Sequence, residues 1–464
     1  MFEQRQTRDL IVVVPGILGS VLYTSGERPA WDASFAMGAH VLGDFCRTLE
    51  TLRLPSDIGD GPSPPPHFLE PRGLMGGWQV WPGFWAGAGY GPLVRHLRTC
   101  VGDDRQIMIF AYDWRLSNRY NARRLLRDVE PRLDEWRRNG GGADARLQLV
   151  CHSMGGLIGR YFLYVLDGQK LTRRAYTLGT PFSGSMKALK VLTGRLLPRP
   201  PERLGGRVGA INARLRDIAG TFPSVVELLP TYACVTEPGR TDDTAVKLTD
   251  RDLPDLDQHA VRHSRDFHGE ILDKERPSSR GLLHVFAGHG QPTEQAVEIH
   301  GSELRFVRRQ RGADYGGDGT VPWFSSVPAH WRDDADALFY PVKHVGLPRH
   351  THLLRQLTHK ITSNRPGEAL KPPSPLSLDL PPVALAEQEV PLRVRADNPQ
   401  MVLHAHLKDI DGTPHGRTLP LLPDGEGTYT AACRLPPGTW HVEVTTTTES
   451  PASSVEDLIV VAQC

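Results

Sequence analysis

No run in the 464-residue chain approaches the ~20 uninterrupted apolar residues that a membrane-spanning helix needs. The N-terminal stretch MFEQRQTRDLIVVVPGILGS carries charges and then only a short strand-like run, without the long apolar core of a secretory leader, so a cytoplasmic location is expected. Cysteine is sparse and scattered. Cys46, Cys100, Cys151, Cys234, Cys433 and Cys464 form no C-x-x-C pair, which speaks against a zinc knuckle or a disulfide framework and for reduced thiols. Neither charge dominates: 54 Lys and Arg stand against 53 Asp and Glu, a net charge of +1, so no whole-chain field favours nucleic acid or an anionic membrane. Lysine is scarce beside arginine, and the arginines are interspersed with acidic residues as on solvated helix faces.

Hydrophobic residues at 39% and charged residues at 23% describe a globular chain with a sizeable core. Its length exceeds the ~150 residues of a typical domain, so two modules are expected. Six short β-rich runs recur between helical segments: LIVVVPG (10–16), IMIFAY (107–112), LQLVC (147–151), AYTLGT (175–180), LLHVFAG (282–288) and ALFYPV (337–342). They are continuously apolar rather than alternating, which is how strands covered on both faces of a parallel sheet read. Between them lie helix patterns such as residues 118–141, with Asn118 as N-cap, Gly140 as a stop and Pro131 as a point of division. Strand and helix in alternation give an α/β sheet.

Two insertions, about 28–90 and 186–260, break this rhythm and read as caps or binding loops over a catalytic module of residues 1–364. Proline is dense over 365–383, as in an extended spacer. From 384 to 464 the pattern alternates with period two between turn residues such as Asp411-Gly412 and Pro437-Gly438, predicting a small immunoglobulin-like β-sandwich. That module carries no catalytic constellation and is expected to bind or pack, with a protein partner as one occupant.

The chemistry centres on CHSMGG (151–156), a strand that stops at a serine and restarts as a helix. Such a turn lifts the hydroxyl of Ser153 clear of the sheet, beside the backbone N–H groups of a helix start, and needs small neighbours, which Gly155, Gly156 and Gly159 supply. Cys151 stands where the G-x-S-x-G pattern has its first glycine. It ends a buried strand with no cation nearby, so it reads as an inert thiol. His152 projects away from its neighbour on a sharp turn and is a poor base. A serine nucleophile needs a base, and the base an orienting carboxylate, in the chain order Ser, Asp or Glu, His. Asp318, in the glycine-rich loop DYGGDGTVPW, and His344, directly after the last strand, meet that order; Asp314 is the second choice of acid. His350 and His352 read as surface residues, His284 and His289 as packing or loop residues. An oxyanion needs two donors, one from the backbone N–H of Met154 and the other from the loop VPGILGS (14–20).

With these residues assembled, the chain resembles the lecithin:cholesterol acyltransferase family of α/β-hydrolases, which includes lysosomal phospholipase A2 and the phospholipid:diacylglycerol acyltransferases. The resemblance rests on VPGILGS (14–20), YDWR (112–115), HSMGG (152–156), GTPFSGS (179–185), TFPSVVELLP (221–230) and GDGTVPW (317–323), in the family's order over roughly 1–360. It implies Ser153 as nucleophile, Asp318 as acid and His344 as base, with Leu18 and Met154 as oxyanion donors and the insertions as a cap over an acyl-chain groove. Asp113 and Arg115 of YDWR are expected to pair and hold their loop. Trp78, Trp81, Phe84 and Trp85 are lid candidates, suited to an acyl chain or a transient membrane-surface contact. The expected activity is a serine esterase or O-acyltransferase of lipid acyl esters, requiring neither metal nor organic cofactor. An esterase of small soluble esters and a non-catalytic scaffold of the same fold are the alternatives. Cys151, the missing leader and disulfides, and the added sandwich depart from the family pattern.

Overall fold

The computed structural model describes residues 6–32, 50–55, 58, 61, 64–65, 67–76, 79–81, 85–87, 89–197, 205–237, 245–275, 281–331, 337–362, 376–386, 388–398, 401–410, 416–424, 426–446 and 454–462. Its centre is a six-stranded sheet ordered Leu338–Tyr340, Leu283–Gly288, Thr172–Leu178, Leu147–His152, Leu10–Val14, Ile107–Ile109. Every neighbouring pair is parallel. These are the six apolar runs of the sequence, and the two inner strands Leu10–Val14 and Leu147–His152 are buried at every residue.

The alternation of side chains along each strand feeds two cores. Leu10, Val12 and Val14 join Leu125, Val129 and Leu133 of the helix Asn118–Trp136 on one face. Ile11 and Val13 join Leu93 and Leu97 of the helix Gly91–Arg98 and Leu353, Leu354 and Leu357 of the helix Thr351–Thr362 on the other. Ser117, not Asn118, caps the first of these helices, its Oγ accepting the Tyr120 N–H at 3.0 Å. Pro131 sits inside that helix on its solvent side without dividing it, and Gly140, at φ 154°, ends the helical path. The Asp113 and Arg115 side chains form a buried two-point pair at 2.7 and 2.9 Å. Arg115 also donates to Leu52 O and His67 O, and Asp113 accepts from the Leu69 N–H, so the pair ties the first insertion to the sheet.

That insertion carries the strands Pro29–Trp31, Glu70–Leu74, Gln79–Trp81 and Trp85–Gly87. The second carries the helices Met186–Leu192, Gly205–Ala219 and Pro223–Val226. Beyond the six-stranded sheet and its insertions, a four-stranded sheet (Leu376–Asp379, Glu389–Ala396, Thr428–Arg434, Leu422–Pro423) accompanies a five-stranded one (Val383–Leu385, Ser454–Ala462, Gly438–Thr446, Leu403–Asp409, Arg417–Pro420). A separate core with Leu392, Val394, Tyr429, Trp440, Val442 and Val444 lies between them. Strand pairing already begins at Leu376, within the proline-dense stretch. LSLD (376–379) is free of proline and buries Leu376 and Leu378 while Ser377 and Asp379 stay half-exposed. The architecture is a six-stranded parallel α/β sheet with two insertions, followed by a β-sandwich. Among the described residues, no helix is long and apolar enough to cross a membrane.

Candidate active site

The strand Leu147–His152 ends at Ser153, whose φ of 53° is left-handed, and the helix Gly155–Arg160 starts two residues later. A side chain there is strained, and the surroundings over-determine it. The Ser153 N–H donates to Leu178 O at 2.9 Å, and its carbonyl accepts from the Gly156 N–H at 2.9 Å and the Thr180 hydroxyl at 3.0 Å. The helix must start almost against the first strand. A Cβ on Gly155 would lie 2.4 Å from Pro15 O and 2.5 Å from Val14 O, backbone atoms at the carboxyl end of the inner strand Leu10–Val14 that cannot yield. Gly155→Ala is therefore expected to destabilise the chain by about 1–3 kcal/mol, read as a lower urea midpoint. Gly209→Ala, in the helix Gly205–Ala219 where an added Cβ meets nothing within 4 Å, is expected to hold or raise that midpoint.

Asp318 and His344 reach Ser153 from the far side of the strand Thr172–Leu178, Asp318 on a loop after Glu303–Val307 and His344 on the segment after the edge strand Leu338–Tyr340. His344 Nε2 lies 2.9 Å from Ser153 Oγ, and His344 Nδ1 lies 2.6 Å from Asp318 Oδ2. The other carboxylate oxygen, Asp318 Oδ1, accepts the N–H groups of Thr320 at 2.9 Å and Val321 at 2.7 Å. The two loops are also joined directly, the His344 N–H donating to Asp318 O at 2.8 Å. All three side chains are at most 4% exposed. With Asp318 ionised, these partners set the tautomer: Nδ1–H donates to the carboxylate and Nε2 accepts from the serine hydroxyl. Asp314 lies elsewhere. Its Oδ1 accepts from Gln295 Nε2 and the Gly316 N–H, shaping the loop rather than facing an imidazole.

Leu18 and Met154 are both fully buried; Leu18 has φ 62°, so its loop turns sharply at that donor, whereas Met154 follows the left-handed Ser153 and already has helical backbone (φ −53°). Leu18 is held by its carbonyl, which accepts Trp31 Nε1–H at 3.0 Å. A small cavity of about 20 Å³ touches Ser153 and is lined by Ile17, Ala188, Leu228, Val321 and others. It is thus walled by the first-strand loop and by the second insertion. Beyond Pro181 and Leu228 the adjoining residues Phe182 and Leu229 line a larger, mainly apolar chamber of about 430 Å³.

The other singled-out groups occupy different roles. Burial pushes the Cys151 thiol up to about 12, and its Sγ fills the space where a Cβ on Gly159 would come within 2.9 Å. Burial, and next the neighbouring His344, push His152 well below the ordinary imidazole value. His350, in place of the expected surface position, is largely enclosed, and burial brings it down to about 4. His284 stacks on Tyr176 with ring centroids 5.4 Å apart. Trp78 and Phe84 lie outside the described residues; Trp81 and Trp85 are register partners in the hairpin Gln79–Trp81/Trp85–Gly87.

Two residues that sequence reasoning passed over join this site. The Tyr90 hydroxyl accepts from the Gly16 N–H at 2.8 Å and lies 2.9 Å from His152 Nδ1, while His152 Nε2 lies 3.4 Å from His344 O. A tyrosine thereby links the glycine loop to the backbone of His344. Its only signal in the sequence was its place at the end of the aromatic stretch. Lys187 lines the cavity at Ser153 as well as a second one beside Asp318, and its ammonium donates to Thr320 Oγ1 at 3.0 Å. Burial lowers it from the usual lysine value. Nothing in its helical context marked it.

No curated protein matches the chain. Among solved structures, the Bacillus licheniformis lipase BlEst2 in propeptide form is similar over 99% of this chain and 94% of its own, with 11% identity and a TM-score of 0.34. The sulfur carrier protein SoxY from Chlorobium limicola f thiosulfatophilum is similar over 19% of this chain and 78% of its own, with 13% identity and a TM-score of 0.15. Likenesses at these scores say nothing about activity. Residues 90–259 match the family model for lecithin:cholesterol acyltransferase. The matched stretch contains the turn at Ser153 and most of the insertion beside it, so the similarity to the lecithin:cholesterol acyltransferase family falls on the part of the chain that carries the candidate nucleophile.

Proposed function

We propose that the protein is a serine esterase or O-acyltransferase of lipid acyl esters, working through an acyl-enzyme on Ser153. The observation that carries this reading is the unbroken hydrogen-bonded line from Ser153 Oγ through the His344 ring to Asp318 Oδ2. His344 takes the hydroxyl proton as Ser153 attacks the ester carbonyl, then gives it to the departing alcohol. Asp318, fixed by two backbone N–H groups, keeps Nδ1 protonated and stabilises the imidazolium that forms. The N–H groups of Leu18 and Met154 serve the oxyanion. The acyl-enzyme then meets water or a second alcohol, and water exclusion at that step separates hydrolysis from transfer. The family match over 90–259 supports a lipid acyl donor, as does a mainly apolar chamber whose lining residues Phe182 and Leu229 directly follow Pro181 and Leu228 of the cavity at Ser153.

The test is incubation with mixed phospholipid vesicles and a long-chain alcohol, with identification of products. Free fatty acid with lysolipid is expected from hydrolysis, and alkyl ester with lysolipid from transfer. Turnover of short soluble esters with vesicles left intact would overturn the lipid assignment.

A further inference from the structure

The β-sandwich meets the rest of the chain at the two loops that carry Asp318 and His344. The short helix His344–Arg349 is gripped at both ends by consecutive carboxylates of the strand Ser454–Ala462. Lys343, directly before the imidazole, bonds Asp457; Arg349, at the far end, lies 3.4 Å from Glu456. Glu456 is held in turn by His441 Nε2 at 2.9 Å. On the acid side, Gln291 clamps the first sandwich strand: Nε2 donates to Leu376 O at 2.7 Å and Oε1 accepts the Leu378 N–H at 3.1 Å. Its own N–H donates to Gly317 O, one residue from Asp318. Arg308 forks onto both oxygens of Asp379 at 3.0 and 3.1 Å. A cavity of about 260 Å³ separates the two modules, bordered by Asp318 and His344 on one side and by Asp457, Leu458 and Val460 on the other.

Lys343 and Arg349 flank the His344 segment, Arg308 opens the loop that carries Asp318, and Gln291 is bonded to that loop at Gly317, so the clamps bear on the spacing that decides whether His344 faces Ser153. A six-residue 3₁₀ helix interrupted by Pro348 has weak internal hydrogen bonding, so its place must be set from outside. We propose, building on the serine-ester reading above, that the sandwich is a working part of the catalytic centre, Asp457 acting through Lys343 to hold His344 at hydrogen-bond distance from Ser153. Asp457 is then a positioning residue. The sandwich contributes geometry to the reaction rather than serving only as a docking module for another protein.

The experiment uses the full chain as wild type, Asp457→Asn, Asp457→Glu, Lys343→Met and the double variant Lys343→Met/Asp457→Asn. Readouts are kcat and KM on 4-nitrophenyl butyrate, the rate at which a fluorophosphonate labels Ser153, and the thermal midpoint. Asp457→Asn is expected to lower kcat and the labelling rate together by about tenfold with KM within about twofold, because the loss is one of alignment. Asp457→Glu should recover most of both rates. The double variant should be no slower than the slower single one, since both changes break the same link. A merely structural contact would lower the midpoint and leave kcat per folded molecule and the labelling rate at wild-type values. That result, or losses that multiply in the double variant, overturns the proposal. Should Asp457→Asn fail to fold, Glu456→Gln, which releases the far end of the same helix, carries the same expectation and the same refutation. Wild type that neither hydrolyses the ester nor takes the label removes the serine-ester reading and this proposal with it. Wild type that does both while Asp457→Asn equals it removes the positioning role alone.

Discussion

Ser153→Ala is expected to abolish fluorophosphonate labelling and to lower kcat on a carboxylic ester by roughly 10⁶-fold, the scale on which serine hydrolases lose turnover without their nucleophile. The reason is local. Ser153 stands alone at the turn: Cys151 is buried with its thiol pushed up to about 12, so no thiolate is present to replace the lost alkoxide. His152 next to it is engaged by Tyr90 and by the backbone of His344, so it offers no base to a water held there. The fold should be untouched, because the packing at the turn runs through the Ser153 backbone to Leu178, Gly156 and Thr180 rather than through the hydroxyl. Equal unfolding midpoints with labelling lost is the expected pair of results. Labelling that persists in Ser153→Ala would move the nucleophile to another residue.

Much of this was legible in the sequence because continuous apolar runs have one economical use. LIVVV and LQLVC carry no alternation, so each needs cover on both faces, and a parallel sheet with helices on either side is the arrangement that gives it. The serine at the end of LQLVCH marked the turn, since glycines at 155 and 156 are demanded by backbone and Thr180 atoms that a Cβ would meet. The match over 90–259 agrees with the resemblance read from the motifs. Asp318 and His344 lie outside that match, and their convergence on Ser153 is a matter of geometry. What the sequence did not disclose are contacts between residues far apart whose local context is ordinary. Tyr90 reads as one more aromatic, yet its hydroxyl reaches both Gly16 and His152. Lys343 belongs to no motif, and only the placement of the sandwich gives it Asp457. LSLD at 376–379 was hidden by the prolines around it, because a four-residue strand is too short for its alternation to stand out.

Asp318→Asn is expected to lower kcat/KM by about 10⁴-fold while leaving the fold and substrate binding in place. The size of the effect follows from how the carboxylate is held. Oδ1 accepts two backbone N–H groups, from Thr320 and Val321, so in the amide the oxygen must keep that position. The NH₂ group is then forced to face His344 Nδ1, the atom now 2.6 Å from Oδ2. Flipping the amide would set its donors against two backbone donors in a buried site, at a cost of about 1–3 kcal/mol for each unsatisfied group. The imidazole answers by moving its proton to Nε2, where it points at Ser153 Oγ as a donor and can no longer accept the hydroxyl proton. Hydrogen bonding is satisfied throughout, which is why stability should hold while turnover collapses. Asp314→Asn separates this account from a general loss of negative charge, because Asp314 serves Gln295 and the Gly316 N–H instead of an imidazole. It should keep kcat/KM within about threefold of wild type, in the range of changes that leave transition-state contacts intact. Measuring both variants on one soluble ester, with the labelling rate of Ser153 as the second readout, distinguishes the two carboxylates. Full activity in Asp318→Asn would take the orienting role from Asp318, and a collapse in Asp314→Asn would give it to Asp314.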